Sequence, residues 1–550
     1  MIHQNHQELY DAFIIEWNRW IKKSVIKPIN FDPHTIDQSL IGDLMLIWDV
    51  KYHSNGTFDK WKCRIVFRGD LWHNVFEMET YASSLDSKAL LILLAYAATM
   101  DLDLWALDVS TAFLYGQFPE GTHQYVRRPH GVPSTFFPDV FELGSCVYGH
   151  PAASKQYELH NQGVYDLLGF TRLRSTPSCF QIPETPTQDQ VISGVITDDC
   201  FFMHKFDSPM KSSLLADFAK HYEYTVKDPL VNFNGITIIR DRDNRRIGIT
   251  QPQFLENMRH KYPLSPDQSP PRVPFPYNDY LTAKDKLDQQ VFLTSKLELK
   301  AFRGVLGEII WMQRFSKPEL LFAQQSLSRC THPTLYDLNL GIQAIQYSAF
   351  TTRDLIRWVG GPQGPIITTT VDSSFASLPD SKSQSAWSVH IGGGGASIFT
   401  GHAQTITCDS STSSEATGNY MALPDTLYAE NILSELGYTQ PTAIGIGNDN
   451  QSTIKICNNY SNKGNTRHLS LRFSIVRDNI ERNIIRMFYL PTERMIADIG
   501  TKALSPAIFE RLRDYLHGTT TLPEFLEYIE QYAPELFTPV SSHLLDTKAI

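Results

Sequence analysis

At 550 residues the chain is too long for one hydrophobic core, and ~150 residues per domain implies about three or four domains. A hydrophobic share of 42% and a charged share of 20% describe an ordinary soluble globular protein. The net charge of −10 and a pI near 6.0 exclude a uniformly basic surface, so a nucleic-acid partner would need a local basic track. Two such tracks are present: Lys51, Lys60, Lys62, Arg64 and Arg68 in one segment, and Lys463, Arg467, His468, Arg472, Arg477, Arg482 and Arg486 in another. The cysteines, at 63, 146, 179, 200, 330, 408 and 457, form no Cys-x-x-Cys, which points to a reducing compartment and no zinc site. The longest apolar run, 89–100, is too short to cross a bilayer, and no secretory signal follows Met1. The expectation is a soluble intracellular protein.

In chain order, residues 7–23 predict a helix with Trp17 and Trp20 on one face. Residues 44–52 and 60–67 predict a hairpin turning at Asn55-Gly56. A buried helix over 88–100, starting behind Ser83 or Ser84, precedes an apolar strand, 104–109, that carries Asp108. After a helix around 154–168, two runs rich in β-branched and aromatic residues, 191–196 and 200–204, predict strand, sharp turn, strand. Asp198 and Asp199 sit at that tip. Adjacent carboxylates on a buried hairpin repel and are costly to desolvate, and a divalent cation offsets both effects. Three acids on neighbouring strand ends are what two-metal nucleotidyl transfer requires, with the ions ~3.5–4 Å apart.

Strands at 232–239 and 246–250 follow, then a linker crowded with Pro, Ser and Asp at 265–276, and helices over 297–316, 320–327 and 335–351. A Gly/Pro-rich boundary at 359–365 leads into a β-branched strand ending at Asp372, then a hairpin over 387–400. A helix over 415–436, containing Pro424, opens on Glu415. The strand 444–449 ends on Asp449, with residues 449–452 placed to cap the next helix. Asp498 lies on a late helix.

The block Leu107-Asp108-Val109-Ser110-Thr111-Ala112-Phe113-Leu114-Tyr115-Gly116 resembles the first catalytic block of copia-type (Pseudoviridae) LTR-retrotransposon reverse transcriptases, and Ile196-Thr197-Asp198-Asp199 resembles their second. Val147-Tyr148-Gly149 with Lys155-Gln156-Tyr157 is similar to the family's template-contacting segment, and residues 61–69 to its basic fingers strand. Further on, Asp449-Asn450-Gln451-Ser452, Thr466-Arg467-His468 and residues 497–504 resemble its RNase H blocks, and counting back from residues 434–437 places the catalytic Glu at Glu415. The resemblance spans roughly residues 40–515, without the family's protease or integrase regions, like the terminal portion of a longer Pol polyprotein or a truncated copy.

It implies an α+β fold: a right-hand polymerase (fingers, palm, thumb) followed by a ribonuclease H-like α/β domain. The expected parts are an N-terminal helical extension (1–40), fingers and palm (41–262), linker and helical thumb or connection (263–358), the RNase H-like domain (366–515) and a C-terminal tail (516–550). It also implies two Mg²⁺ (or Mn²⁺) ions per active site, one site on Asp108, Asp198 and Asp199, the other on Asp372, Glu415, Asp449 and Asp498. Lys62, Arg64, Phe113 and Tyr148 become candidates for nucleotide binding, and Lys155, Gln156, Arg467 and His468 for nucleic acid. The implied partners are RNA template, DNA primer, RNA–DNA hybrid and dNTPs, with no membrane, in the cytoplasm (a virus-like particle) or nucleus; oligomeric state is left open. Ile196-Thr197 stands where the family has Tyr-Val, and Pro151-Ala152 where it has Lys-Gln. These departures carry the alternative, a catalytically weakened or domesticated relic that binds nucleic acid without polymerising.

Overall fold

The computed structural model describes residues 6–29, 32, 35–52, 57–72, 79–276, 291–351, 356–361, 363–378, 381–458 and 470–534. The expected Asn55-Gly56 turn lies outside them. The chain divides into two compact units: Met1–Leu85, Trp105–Leu173 and Pro177–Asp228 make the first, and Asp86–Leu104, Arg174–Thr176 and Pro229–Ile550 the second.

In the first unit, strands Ile41–Tyr52 and Phe58–Phe67 form an antiparallel pair, extended by Tyr125–Arg127, Val140–Leu143 and Ile26–Lys27 into a five-stranded sheet. The period of two buries Cys63, Ile65 and Phe67 and leaves Lys62 and Arg64 on the opposite face. Helix His6–Lys22 covers the core face, where Trp17 and Trp20 both meet Phe137 edge-on, at 4.6 and 6.0 Å. A second sheet runs Tyr224–Lys227, Leu102–Val109, Asp199–Lys205, Val191–Ile196, Cys179–Ile182, Thr171–Arg172. Trp105, Leu107, Val109 and Phe202 pack from it onto Tyr165 and Phe218 of helices Ala153–Leu167 and Met210–Phe218. Each fully buried aromatic there contributes ~1.5–3 kcal/mol, which anchors the acid-bearing strand ends.

In the second unit, helix Ser87–Thr99 is buried at every residue from Ala89 to Thr99, as an all-apolar helix must be. Its N-cap is Asp86, whose carboxylate accepts from the Ala89 N–H at 3.0 Å, and not Ser83 or Ser84. All three are good caps, and the one nearest the first turn takes the place. The helix packs on a four-stranded antiparallel sheet (Asn232–Phe233, Ile236–Asp241, Arg246–Thr250, Ile356–Val359) and on strand Ala396–Ala403. Helices Lys296–Arg314 and Leu335–Phe350 both open on capping boxes, Ser295/Glu298 and Thr334/Asp337. Residues 263–276 form no helix or strand, but Phe275 is buried against Phe322.

The rest of this unit is built on a five-stranded sheet in the order Ala396–Ala403, Gln384–Ile391, Ile367–Ser374, Ile444–Asn448, Ile485–Tyr489. The first three strands are antiparallel and the last two join in parallel, an RNase H-like arrangement. Helix Ser411–Glu435 crosses it and starts four residues before the expected Glu415, because Ser410 accepts from the Ser413 N–H at 3.2 Å and caps it. Pro424 sits inside the helix without ending it. Helix Pro523–Tyr532, in the expected tail, buries Phe525, Tyr528 and Ile529, and the Tyr528 hydroxyl donates to the Ala443 carbonyl at 2.6 Å. The whole is the expected α+β class. Among the described residues no helix is long and apolar enough to cross a membrane.

Candidate active sites

In the first unit, strands Leu102–Val109 and Asp199–Lys205 are neighbours, and the Val109 N–H donates to the Asp198 carbonyl at 2.9 Å. That bond brings Asp108 beside the acid tip. Asp199 pairs with Ile196, so Thr197 and Asp198 make the turn. Thr197 has φ 52°, and Thr111, just past Asp108, has φ 55°. β-Branched residues rarely adopt this region, and each costs ~1–3 kcal/mol, strain typical of functional sites. Burial, then the charges of Asp199 and Asp108, hold the Asp198 carboxyl above its ordinary range.

Lys227 was not among the sequence candidates. Its Nζ lies 2.6 Å from Asp199 Oδ1 and 3.4 Å from Asp108 Oδ2, so both carboxylates come within reach of a single cation. Burial opposes the Lys227 charge, but the ion pairs with Asp199 and Asp108 outweigh it and raise its pKa. Strand alternation carries the signal in retrospect. Thr225 stands opposite Asp108, and Lys227, two residues on, shares its face.

Tyr148 links two of the nucleotide-binding candidates. Phe113, on the 3₁₀ turn Ala112–Tyr115, meets its ring edge-on at 5.1 Å, and the Arg64 guanidinium lies 5.9 Å from it. Burial, then the charges of Glu16 and Asp198, push the Tyr148 hydroxyl up to about 12. Burial, then Arg64 and Lys51, lower the Lys62 pKa, as expected where cations crowd one strand face. Lys155 pairs with Glu158 at 3.1 Å and Glu79 at 3.5 Å, so a phosphate would compete with two carboxylates there. Gln156 packs its backbone close to Gly116, where a Cβ would meet the Tyr157 nitrogen at 2.9 Å. Arg467 and His468 lie outside the described residues.

The second unit gathers the other set. One carboxylate oxygen from each of Asp372, Glu415 and Asp449 lies within 4.8 Å of the others. Parallel pairing of Ile367–Ser374 with Ile444–Asn448 puts both aspartates at one end of the sheet. Glu415 accepts from the Ser373 N–H at 3.1 Å and from Asn448 Nδ2 at 3.0 Å. Helix Gln451–Asn458 is capped by Asn450, whose Oδ1 accepts from the Thr453 N–H at 2.9 Å. Asp449 is therefore not the cap, and it accepts instead from Thr492 Oγ1 at 2.8 Å. Asp498 opens the short helix Asp498–Thr501 and stands outside the tight trio. The Thr501 hydroxyl donates to Asp372. Lys502 Nζ lies 2.7 Å from Asp498 Oδ1 and 3.9 Å from Asp372 Oδ2.

Burial, then the charge of Asp372, raise Glu415 well above the carboxylate range and bring Asp498 up to about 8. Burial raises Asp449 as well. Hard oxygen donors crowded in a buried place, with more negative charge than one ammonium neutralises, are a donor set that fits a divalent cation. Asn448, Thr492 and Thr501 escaped the sequence reading because they meet their acids across the fold. Only Lys502 carried a local signal, its i,i+4 spacing from Asp498.

The first unit thus carries an acid-tipped hairpin, and the second an RNase H-like sheet with its own acid cluster. Residues 41–274 match the family described as reverse transcriptase (RNA-dependent DNA polymerase). The chain is 22% identical over 463 residues to the Retrovirus-related Pol polyprotein from transposon TNT 1-94 of Nicotiana tabacum, covering 83% of this chain and 34% of that one. It is 22% identical over 484 residues to the corresponding polyprotein from transposon RE1 of Arabidopsis thaliana, covering 87% and 32%. The chain thus spans about a third of the length of these relatives. Among solved structures, the foamy viral protease-reverse transcriptase in complex with RNA/DNA hybrid aligns with 88% of this chain and 54% of its own, at 11% identity and a TM-score of 0.46.

Proposed function

We propose that this chain is an RNA-directed DNA polymerase with a ribonuclease H, acting inside the cell as part of a retrotransposon Pol product. It extends a DNA primer on an RNA template with dNTPs and hydrolyses the RNA of the resulting hybrid. The observation that carries this reading is the convergence of Asp108 with Asp198–Asp199 inside the segment that matches the reverse transcriptase family. Mg²⁺ or Mn²⁺, two ions per site, held by Asp108, Asp198 and Asp199 and by Asp372, Glu415, Asp449 and Asp498, would activate the attacking oxygen and stabilise the leaving one.

The protein's own groups bind and orient. Lys62 and Arg64 neutralise the triphosphate from the cationic strand face. Phe113, braced edge-on by Tyr148, fills the space against the sugar's 2′ position and selects dNTP over rNTP. Lys155, Gln156, Arg467 and His468 would contact the nucleic-acid backbone.

Two assays test the reading separately. Primer extension on an RNA template with Mg²⁺ or Mn²⁺ should fall to background in Asp198→Asn and Asp199→Asn. Cleavage of a labelled RNA–DNA hybrid should fall to background in Asp449→Asn. Activity indifferent to these substitutions would reject the acid assignment, and a wild-type chain that binds hybrid but does neither would be the relic.

A further inference from the structure

We propose that the Lys502 ammonium occupies the second cation position of the Asp372–Glu415–Asp449–Asp498 cluster. The site then takes one divalent ion readily and a second only by displacing this side chain. The inference rests on reading that cluster as a metal centre.

Three observations support it. The tight trio excludes Asp498, so its three carboxylates form one ion's donor set. A second ion would have to bridge Asp498 and Asp372, and Lys502 Nζ is already there, 2.7 Å from one carboxylate and 3.9 Å from the other. The backbone of the lysine and one of its carboxylate partners are each tied down. Residue 502 is the C-cap of helix Asp498–Thr501, its N–H donates to the Asp498 carbonyl at 3.2 Å, and the preceding Thr501 hydroxyl ties Asp372. Finally, Lys502 and Asp498 line a cavity of about 900 Å³ shared with Glu493, Thr501 and Arg511. That space leaves room for a displaced ammonium. There it would meet the phosphates of a bound strand, so the same lysine would neutralise acids in the empty site and substrate in the loaded one.

Electrostatics sets the size of the effect. A unit positive charge about 4 Å from the incoming cation weakens the second ion's binding by at least about tenfold relative to a neutral side chain. The experiment is Mn²⁺ binding to the full chain, counted by electron paramagnetic resonance, in an Asp198→Asn/Asp199→Asn background that silences the other acid set. The parent should bind one Mn²⁺ at this cluster, with a second at least about tenfold weaker. Lys502→Met should tighten the second step by about that factor and give the exchange-coupled signal of a close Mn²⁺ pair, while Lys502→Arg, which keeps the charge, should behave like the parent. Two equally tight ions in the parent, or a second step unmoved by Lys502→Met, would overturn the inference. If the parent binds no ion that Asp449→Asn removes, the metal-centre reading itself fails, which is a different result.

Discussion

Phe113 touches Tyr148 edge-on, so the ring's position is fixed by packing and not by its own rotamer freedom. Phe113→Val should therefore open the space it fills and relax discrimination between dNTP and rNTP by about tenfold or more, read as the ratio of kcat/KM values in primer extension. A second residue, outside both acid sets, governs acid stability. Glu319 is fully buried, with His517 Nε2 2.7 Å from Oε2 and the Tyr347 hydroxyl donating to Oε1 at 3.2 Å. Burial alone would raise its pKa, but the charge and hydrogen bond of His517, with Lys317 nearby, outweigh burial and bring it to about 2. Its folded-state pKa lies below the ordinary 4.5, so its contribution to stability is complete above that pH and is lost between pH 4.5 and 2. Glu319→Gln should cost about 3 kcal/mol in chemical denaturation near neutral pH and flatten the loss on acidification. Asp108, Asp198, Asp372 and Asp449 could be read from the chain because each lies in or just past an apolar run, whereas Glu415 follows a polar Ser/Thr run and was reached only by counting back from residues 434–437. Glu319 and Lys227 could not, because their partners are distant in sequence and nothing local marks them.

Helix Ser411–Glu435 shows where local reading stops. Its first turn is a run of Ser and Thr that reads as loop, yet one of those serines supplies the cap. Ser410→Ala should cost about 1 kcal/mol and loosen the turn that carries Glu415, seen as a lower denaturation midpoint together with weaker Mn²⁺ binding. The hairpin Val191–Ile196/Asp199–Lys205 was legible from its two β-rich runs, and its strand pairing follows the two-residue turn. The left-handed backbone of Thr197 was not, since no residue type there announces it. Thr197→Asn, which tolerates that conformation, should raise stability by about 1 kcal/mol in thermal denaturation if the fold is otherwise unchanged. The expected pattern of strands and helices held wherever the period was sustained over many residues. It slipped at one cap, where Asp86 stands in place of Ser83 or Ser84, while the cap expected within 449–452 is Asn450.

At the scale of the molecule, the order of residues and the order of units differ. The stretch Asp86–Leu104 falls within the family-matched segment 41–274, yet it belongs to the second unit together with Pro229–Ile550. Composition and motifs run along the chain and suggest consecutive domains, whereas tertiary grouping follows what each apolar surface packs against. Helix Ser87–Thr99 packs on strands Ile356–Val359 and Ala396–Ala403, which lie far downstream. A fragment ending at residue 274 would leave uncovered the part of this helix that packs on Ile356–Val359 and Ala396–Ala403, and it should elute as aggregate in size-exclusion chromatography where the full chain does not.

The same interleaving has a consequence for synthesis. On the ribosome, the segment bearing Asp108 and Asp198, with the greasy helix that precedes both, emerges long before the strands Ile356–Val359 and Ala396–Ala403 that shelter that helix. That helix must then wait, its apolar surface partly open, until the downstream strands are translated. A premature stop codon ahead of residue 356 should therefore yield an aggregating chain, not merely one shortened at its end.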